Sequence, residues 1–593
     1  MKIVIFSGGT GSTQIQNSLV EHFGKDVEYT VIVNTMDNGL STGLVRKVFD
    51  GKINGPSDLR KNQLLRHKLM YGQTEFYKFL EKRITDSPSE IRSTIIKNLT
   101  SLKSFYTDKK HLLDVIENGV EYFFSQPKAN QIDYIDFSIA NIIYAGLAGK
   151  LGDLSIAGEI MEELLDLPED AVIEISKSVS YLTASTESGH IIYDEGDLVE
   201  WNNPDDKIVD IHLVDEYGHV IFPRISTKAQ FIIENADMII FAPGTQWSSL
   251  IPTYSYIGFQ EALFNSSAKA KYLVMNADED KDIKGVSGND LIKILDKYLP
   301  LNLITIVQSD QHGLYFDNGY VDETYVIEVA NIITGNIING NDSKHNNYLI
   351  KLIFSDYYKE LISSNLLLFD FDDTIVSRKE FKNDKSCENW SLFIKLIESK
   401  RDCCIITGNT IKSIRSKISQ LPNLKQRYPL YDFYIYSERG AVENNLSTLK
   451  RNNVLMEYQF SEKEINECHR IISDAGFDMT EIDNRNNFII AIKPIADNMK
   501  KIVKNYLQLL FPDYDVCFSG KTTVEVSKKG LEKSKVIEHL IEKYDTNSIS
   551  FIGDECYEGG NDYSLTQAEG VYTENVNSID MTNIILKVLL WQI

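Results

Sequence analysis

The chain has 593 residues, enough for roughly four lobes of about 150 residues or for two or three larger domains. A hydrophobic fraction of 43% with 25% charged residues excludes wholesale disorder, and 34 glycines with 13 prolines exclude collagen-like or low-complexity sequence. The formal net charge of −24 argues against a nucleic-acid binder, because the field of the whole molecule repels phosphate backbones, yet a local pocket can still be basic.

The chain opens on MKIVIFSGGTGS, a short apolar run that stops in a glycine turn rather than a signal peptide. No stretch reaches the about 18 consecutive apolar residues of a membrane span. The expectation is therefore a cytoplasmic protein with no membrane partner. The six cysteines (Cys387, Cys403, Cys404, Cys468, Cys517 and Cys556) form no CxxC pair and are read as buried free thiols.

The first half alternates buried strands with helices. Lys2–Ser7 is a strand, Thr13–Phe23 a helix and Tyr29–Thr35 a strand. Leu59–Leu151 is mainly helical, and Met238–Pro243, Lys271–Ala277 and Ile304–Gln308 are further strands. Continuous apolar runs predict strands covered on both faces, hence a mostly parallel sheet and an α/β fold.

Polar clusters follow these strands. Ser7-Gly8-Gly9-Thr10-Gly11-Ser12 lies between a strand and a helix, where backbone N–H groups and a helix N-terminus favour a phosphate. It lacks the lysine of a Walker A loop and the strict GxGxxG spacing. Asn34 to Gly43, with Asp37, Asn38 and Ser41, follows the next strand, and Arg46 comes shortly after. Gly55 to Asn62 adds Asp58, Arg60, Lys61 and Asn62, and Ala242 to Ser249 adds Gly244 and Thr245. Ligands of doubly wound sheets bind at the carboxyl ends of strands, so these loops are expected to share one edge. Gly9, Thr10 and Gly11 would cradle a diphosphate, and Asp37 and Asp58 would hold a metal or orient a hydroxyl. Arg46 and Arg60 would neutralise phosphoryl charge, with a surface ion pair as the alternative for each, and Gly244 and Thr245 would meet the nucleotide side.

This ordered series, GGTGS, NTMDNGLSTGLVR, GPSDLRKN and FAPGTQWSSLIP, resembles the 2-phospho-L-lactate transferase (CofD-like) family, which includes the YvcK-type gluconeogenesis factors. The resemblance spans roughly the first 330 residues. Asn141, in DFSIANIIYAGLAG, matches the family's Asn-bearing helix. The resemblance implies a Rossmann-like domain that binds a nucleotide diphosphate, either transferring a phospho-acyl group with a divalent metal or sensing a sugar nucleotide. Asp37-Asn38-Gly39 departs from the two acids and two glycines usual in the YvcK branch.

A polar run, Asn336–Asn346, precedes a predicted helix and a new strand at about Leu366. The expected organisation is a first domain over 1–345, a linker helix over 346–364 and a second domain over 365–593. In the second domain Asp370-Phe371-Asp372-Asp373-Thr374 closes a buried strand, with Asp370 and Asp372 on one side of the chain. One carboxylate can attack phosphorus while the other handles the leaving-group proton. Thr407, after the strand CCII, is placed to hold a phosphoryl oxygen, and Lys533 supplies a point charge. Asp554 and Asp562, in GDECYEGGND, add carboxylates of the kind Mg²⁺ prefers.

The set DxDxT, Thr, Lys and GD…ND resembles the haloacid dehalogenase (HAD) superfamily, and GLEK with GDECYEGGND is similar to the eukaryotic-type phosphomannomutases. The resemblance implies Asp370 as nucleophile, Asp372 as acid/base, Thr407 and Lys533 as phosphoryl stabilisers, and Mg²⁺ held among Asp370, Asp372, Asp554 and Asp562. It also implies an α/β cap over about residues 411–524, with Arg485 a candidate to grip a distal phosphate. Asp373 stands where a glycine is usual. The leading expectation is a bifunctional enzyme: a nucleotide-diphosphate-dependent transferase joined to a Mg²⁺-dependent phosphatase of a small phosphorylated metabolite, such as a sugar phosphate. The alternatives are a phosphohexomutase and a sugar-nucleotide sensor that controls the phosphatase. A homodimer is left open.

Overall fold

The computed structural model describes the chain except residues 35, 86–87, 277–280, 310–325, 330–342, 422–432, 446–450, 478–481, 486, 494–498, 520–522 and 592–593. It divides into two compact units, Met1–Ile353 and Phe354–Ile593. The division falls inside the helix Ser343–Tyr357, so the stretch read as a linker helix is shared between the units.

Unit 1 contains strands β1 (Ile3–Ser7), β2 (Tyr29–Val33), β3 (Val172–Glu174), β4 (Tyr181–Thr186), β5 (Ile191–Ile192), β6 (Ile208–Val214), β7 (Met238–Phe241), β8 (Ala270–Val274), β9 (Thr305–Ser309) and β10 (Val326–Val329). Seven form a sheet in the order β10-β9-β8-β7-β1-β2-β3, with every pairing parallel. β1 reads IVIFS and is buried throughout, as a strand covered by helices on both faces must be. Phe6 stacks on Phe241 of the neighbouring strand at 5.0 Å, and Tyr254 and Phe259 meet it edge-on. On the helix Thr13–Phe23, Ile15, Leu19 and Phe23 recur every four residues and form one buried face.

The chain runs from β1 outward through β2 and β3, then returns to β7 on the other side of β1 and runs outward through β8 to β10. The crevice between the carboxyl ends of β1 and β7 is therefore the topological switch point, where ligands of this architecture bind. Helices between Ser57 and Leu164 form the insertion. A second, antiparallel sheet in the order β5-β4-β6 has no counterpart in the sequence reading. Its strands are short and half-polar, so they lack the apolar runs that marked the others.

Unit 2 contains β11 (Leu366–Phe369), β12 (Asp402–Ile406), β13 (Tyr434–Ser437), β14 (Val442–Asn445), β15 (Arg451–Val454), β16 (Ile482–Arg485), β17 (Ile489–Ile492), β18 (Tyr514–Ser519), β19 (Thr523–Lys528), β20 (Ile549–Gly553) and β21 (Val571–Asn575). The core sheet has the order β15-β14-β13-β12-β11-β20-β21. β12, β11, β20 and β21 are parallel, so the loops bearing Asp370, Thr407 and Asp554 leave the same edge. The cap is a four-stranded antiparallel sheet, β16-β17-β19-β18, accompanied by the helices Glu462–Asp474 and Lys500–Leu510. This corrects the cap limits of 411–524. β13, β14 and β15 lie inside that range yet extend the core sheet, because β13 pairs in parallel with β12 and turns back through a hairpin. At the other end the cap sheet runs on to Lys528.

Candidate functional sites

In unit 1 the glycine loop joins β1 to the helix Thr13–Phe23. The N–H groups of Gly9, Thr10 and Gly11 make no hydrogen bond among the described residues, and Thr10 is exposed. Three free donors at a helix N-terminus suit an anion. The loop packs tightly: a Cβ on Gly11 would lie 1.8 Å from the Pro243 carbonyl oxygen, so the loops after β1 and β7 touch at the switch point. A Cβ on Gly9 would lie 2.7 Å from Lys61 Nζ and 2.8 Å from Asp58 Oδ1.

Several residues expected to meet the ligand are instead committed to the scaffold. Arg46 is buried and spends its guanidinium on the carbonyls of Ile53, Ser180, Met36 and Asp37, at 3.0, 2.9, 3.3 and 3.4 Å. It also stacks on Tyr181, 4.2 Å from the ring centroid. Arg60 is buried and donates to Glu81 at 2.9 Å and to Ser138 at 3.3 Å. Both are buried among tertiary neighbours rather than paired at the surface, and among the described residues Arg60 Nε has no partner. The cation beside the glycine loop is Lys61, 40% exposed and 4.0 Å from Asp58.

Asn62 ties the loop down. Its amide donates to the carbonyls of Gly8 and Asp58, at 3.0 and 2.9 Å, and its oxygen accepts from Ser12 and Gln16. Gly244 exchanges both backbone hydrogen bonds with the Asn276 side chain at 2.8 Å, and the Thr245 hydroxyl bonds Ser248 and Ser249. Asn141 donates to Ser41 at 3.0 Å, while its buried oxygen has no partner among the described residues.

Asp37 and Asp58 face one another, joined by Glu195, which the sequence reading did not single out. Asp37 accepts from the Gly39 N–H at 3.1 Å and from the Thr42 hydroxyl at 3.2 Å. The Asn38 N–H donates to Glu195, and its side chain donates to Asp194 at 3.3 Å. Burial and the neighbouring Asp37 push the Asp58 carboxyl up to about 7. Burial, then Asp37 and Asp58, push Glu195 well above the carboxylate range. These acids repel one another where a cation could sit. The run Tyr193-Asp194-Glu195-Gly196 opens a helix capped by Asp194, the only local signal for Glu195.

In unit 2 Lys533 is fully buried, with Nζ 2.7 Å from Asp370 Oδ1 and bonded also to Asp562. Asp370, Asp554 and Asp562 each offer a carboxylate oxygen within 4.8 Å of the others. An all-oxygen set of this kind fits a hard divalent cation such as Mg²⁺. Burial raises Asp370 to about 7 against the pull of Lys533, and burial with Asp370 and Asp562 raises Asp554 to about 9. Burial works to lower the Lys533 ammonium, but Asp370 and Asp562 outweigh it and hold it charged.

The Asp372 side chain lies outside this carboxylate group, contrary to its expected place among the metal ligands. It accepts from Asn409 Nδ2 at 2.6 Å and pairs with Lys417 Nζ. Both partners come from the segment after Thr407, which is buried beside them, and only the fold brings Lys417 within reach. Asp373 adopts φ = 61°, the left-handed region where glycine is usual. Its carboxylate accepts from the Arg378 N–H at 2.8 Å and pairs with the Arg378 guanidinium at 3.3 Å, which holds the turn without glycine.

Arg485 does not extend freely toward a distal phosphate. It donates to Glu525 at 2.6 Å and to the Gly408 carbonyl at 3.2 Å. Arg439 takes the other oxygen of Glu525, also at 2.6 Å. Burial works to raise Glu525, but Arg485 and Arg439 outweigh it and hold the carboxyl down at about 2.

The described residues contain no helix long and apolar enough to cross a membrane, and all six cysteines are free. The family model of 2-phospho-L-lactate transferase CofD matches residues 3–330, and that of eukaryotic phosphomannomutase matches residues 397–592. A putative gluconeogenesis factor of Thermotoga maritima is 25% identical over 304 residues, covering 50% of this chain and 76% of that protein. Among solved structures, a UPF0052-family protein of Bacillus halodurans aligns at 17% identity and a TM-score of 0.41, covering 56% of this chain and 92% of its own. A putative HAD/COF-like hydrolase of Plasmodium vivax aligns at 17% identity and a TM-score of 0.33, covering 40% of this chain and 99% of its own. With more than half its length matched by one family model, the chain belongs to the 2-phospho-L-lactate transferase CofD family, and after that region it is similar to the eukaryotic phosphomannomutases over residues 397–592.

Proposed function

We propose that unit 2 is a Mg²⁺-dependent phosphatase of a small phosphorylated metabolite. The observation that carries this reading is Lys533, buried and held between Asp370 and Asp562, with Asp554 completing the carboxylate group. Asp370 attacks the phosphorus atom and the leaving oxygen departs with a proton from Asp372, giving an aspartyl-phosphate. Asp372 then takes a proton from the water that hydrolyses this intermediate. Asn409 and Lys417 fix the orientation of Asp372 for both steps. Lys533 and the Thr407 hydroxyl stand ready for the phosphoryl oxygens. Mg²⁺, held by Asp370, Asp554 and Asp562, would neutralise charge on the carboxylates and the phosphoryl group.

Unit 1, on the same reading, binds a nucleotide-diphosphate-linked molecule at the switch point and acts on it as a transferase. Free N–H groups of the glycine loop and Lys61 support a diphosphate there. The acids Asp37, Asp58 and Glu195 support a divalent cation nearby.

Phosphate release from a panel of sugar phosphates, for wild type and Asp370→Asn, with Mg²⁺ or with a chelator, tests unit 2. The expected result is Mg²⁺-dependent release that falls by at least about 1,000-fold in the variant, as loss of a covalent nucleophile should produce. Equal release from both proteins would refute the assignment.

A further inference from the structure

The loop after β7 ends in one turn of π-helix, Gln246–Leu250, in which the Leu250 N–H reaches back five residues to the Thr245 carbonyl at 3.1 Å. Single turns of this kind are rare and frequent at functional sites. Three hydroxyls at this turn form a chain with one direction. Ser248 donates to Thr245 at 2.7 Å, and Thr245 donates to Ser249 at 2.9 Å. Ser249 is half-buried, and its own hydroxyl proton meets no acceptor among the described residues. Accepting from Thr245 makes that proton a better donor. Of the three, Ser249 is the one whose proton is not spent inside the turn.

The end of this chain lies at the switch point. A Cβ on Gly8 would stand 3.0 Å from Ser249 Cβ, 3.2 Å from Ser249 Oγ and 3.9 Å from Asp58 Oδ2. A side chain on Gly8 would crowd the serine, so the glycine lets the hydroxyl sit against the residue before the free N–H groups of Gly9, Thr10 and Gly11. The Ser249 backbone is fixed there. Its carbonyl accepts from Thr253 Oγ1 at 2.9 Å and from Asn34 Nδ2 at 3.5 Å, and the same Asn34 amide donates to Asp58 Oδ2 at 3.0 Å. One side chain after β2 thus holds both Ser249 and Asp58.

We propose that Ser249 is a further phosphoryl-binding residue of unit 1. Its hydroxyl donates to a phosphoryl oxygen of the ligand seated on the glycine loop, beside Asp58. The loops after β1 and β7 then grip one phosphoryl group from the two sides of the crevice. This rests on the nucleotide-diphosphate reading of unit 1 and adds to it a side-chain donor from the loop after β7.

The test is calorimetry of the full chain with uridine diphosphate and with guanosine diphosphate, each with Mg²⁺, on wild type, Ser249→Ala and Thr245→Val. Loss of one hydrogen bond to a charged acceptor is expected to raise Kd for Ser249→Ala by about tenfold or more. Thr245→Val keeps the shape, removes the donation into Ser249 and is expected to raise Kd by a smaller factor. The ³¹P resonances of the bound diphosphate separate contact from scaffold: in Ser249→Ala one of the two is expected to move while the other stays. A Kd for Ser249→Ala within about threefold of wild type overturns the proposal and leaves the nucleotide reading intact. A weakened affinity with both or neither resonance moved marks a merely structural role and overturns it too. A loss in Thr245→Val larger than in Ser249→Ala overturns it by moving the contact to Thr245. If wild type binds neither diphosphate, the nucleotide reading itself fails and the role of Ser249 falls with it.

Discussion

Arg46 offers the sharpest contrast between a ligand contact and a structural brace, and Arg46→Met separates them. The guanidinium is buried and serves carbonyls at 2.9, 3.0, 3.3 and 3.4 Å, with Tyr181 beneath it. Each hydrogen bond from a charged donor contributes about 1.5–3 kcal/mol net, less for the two long ones. A desolvated cation–π contact adds about 2 kcal/mol. Methionine avoids the cost of burying a charge, which offsets part of this loss. The expected net destabilisation of unit 1 is about 3–5 kcal/mol. Native-state hydrogen exchange read by mass spectrometry resolves the two units, with unit 2 as an internal control. Amide protection around 36–56 and 176–182 should fall by about 100-fold or more, since about 1.4 kcal/mol is tenfold. Protection unchanged within about threefold, with weakened binding of a nucleotide diphosphate, would refute the brace and restore the phosphate contact.

Two further outcomes follow from buried groups in unit 1. Burial raises Glu174 from 4.5 to about 8, against hydrogen bonds from Ser155 and Asn54. Its folded value lies above its unfolded one, so its contribution is full below about pH 4.5 and is lost as pH rises toward 8. Thermal unfolding from pH 5 to 9 should therefore lose stability with rising pH, and Glu174→Gln should flatten that slope; an unchanged slope would sink the assignment. Gly11→Ala places a Cβ 1.8 Å from the Pro243 carbonyl and must part the loops after β1 and β7. A destabilisation of about 1–3 kcal/mol with weakened nucleotide binding by calorimetry is expected, and wild-type affinity would count against the switch-point site.

The apolar runs KIVIFS, LLLF and SISFIG, each ending in small or acidic residues, by themselves determined the α/β character and the edge where polar loops gather. That inference is local, because a buried parallel strand needs apolar side chains on both faces and its loop must leave at the carboxyl end. The spacing Asp370-x-Asp372, Lys533 and Asp554 likewise marked a candidate site, and the fold gathers Asp370, Lys533 and Asp554. Position along the chain, however, says nothing of what surrounds a charge. Arg46, Arg60 and Asn62 look the same in sequence as Lys61, yet three are walled in by distant carbonyls and carboxylates while Lys61 stands half-exposed over the glycine loop. Glu195 reaches Asn38 across 157 positions, Lys417 reaches Asp372 across 45, and Glu525 binds arginines 86 and 40 positions away. Burial and partners are set by non-local packing, so tertiary structure alone decided which charges remain available for a ligand and which are spent holding the site together.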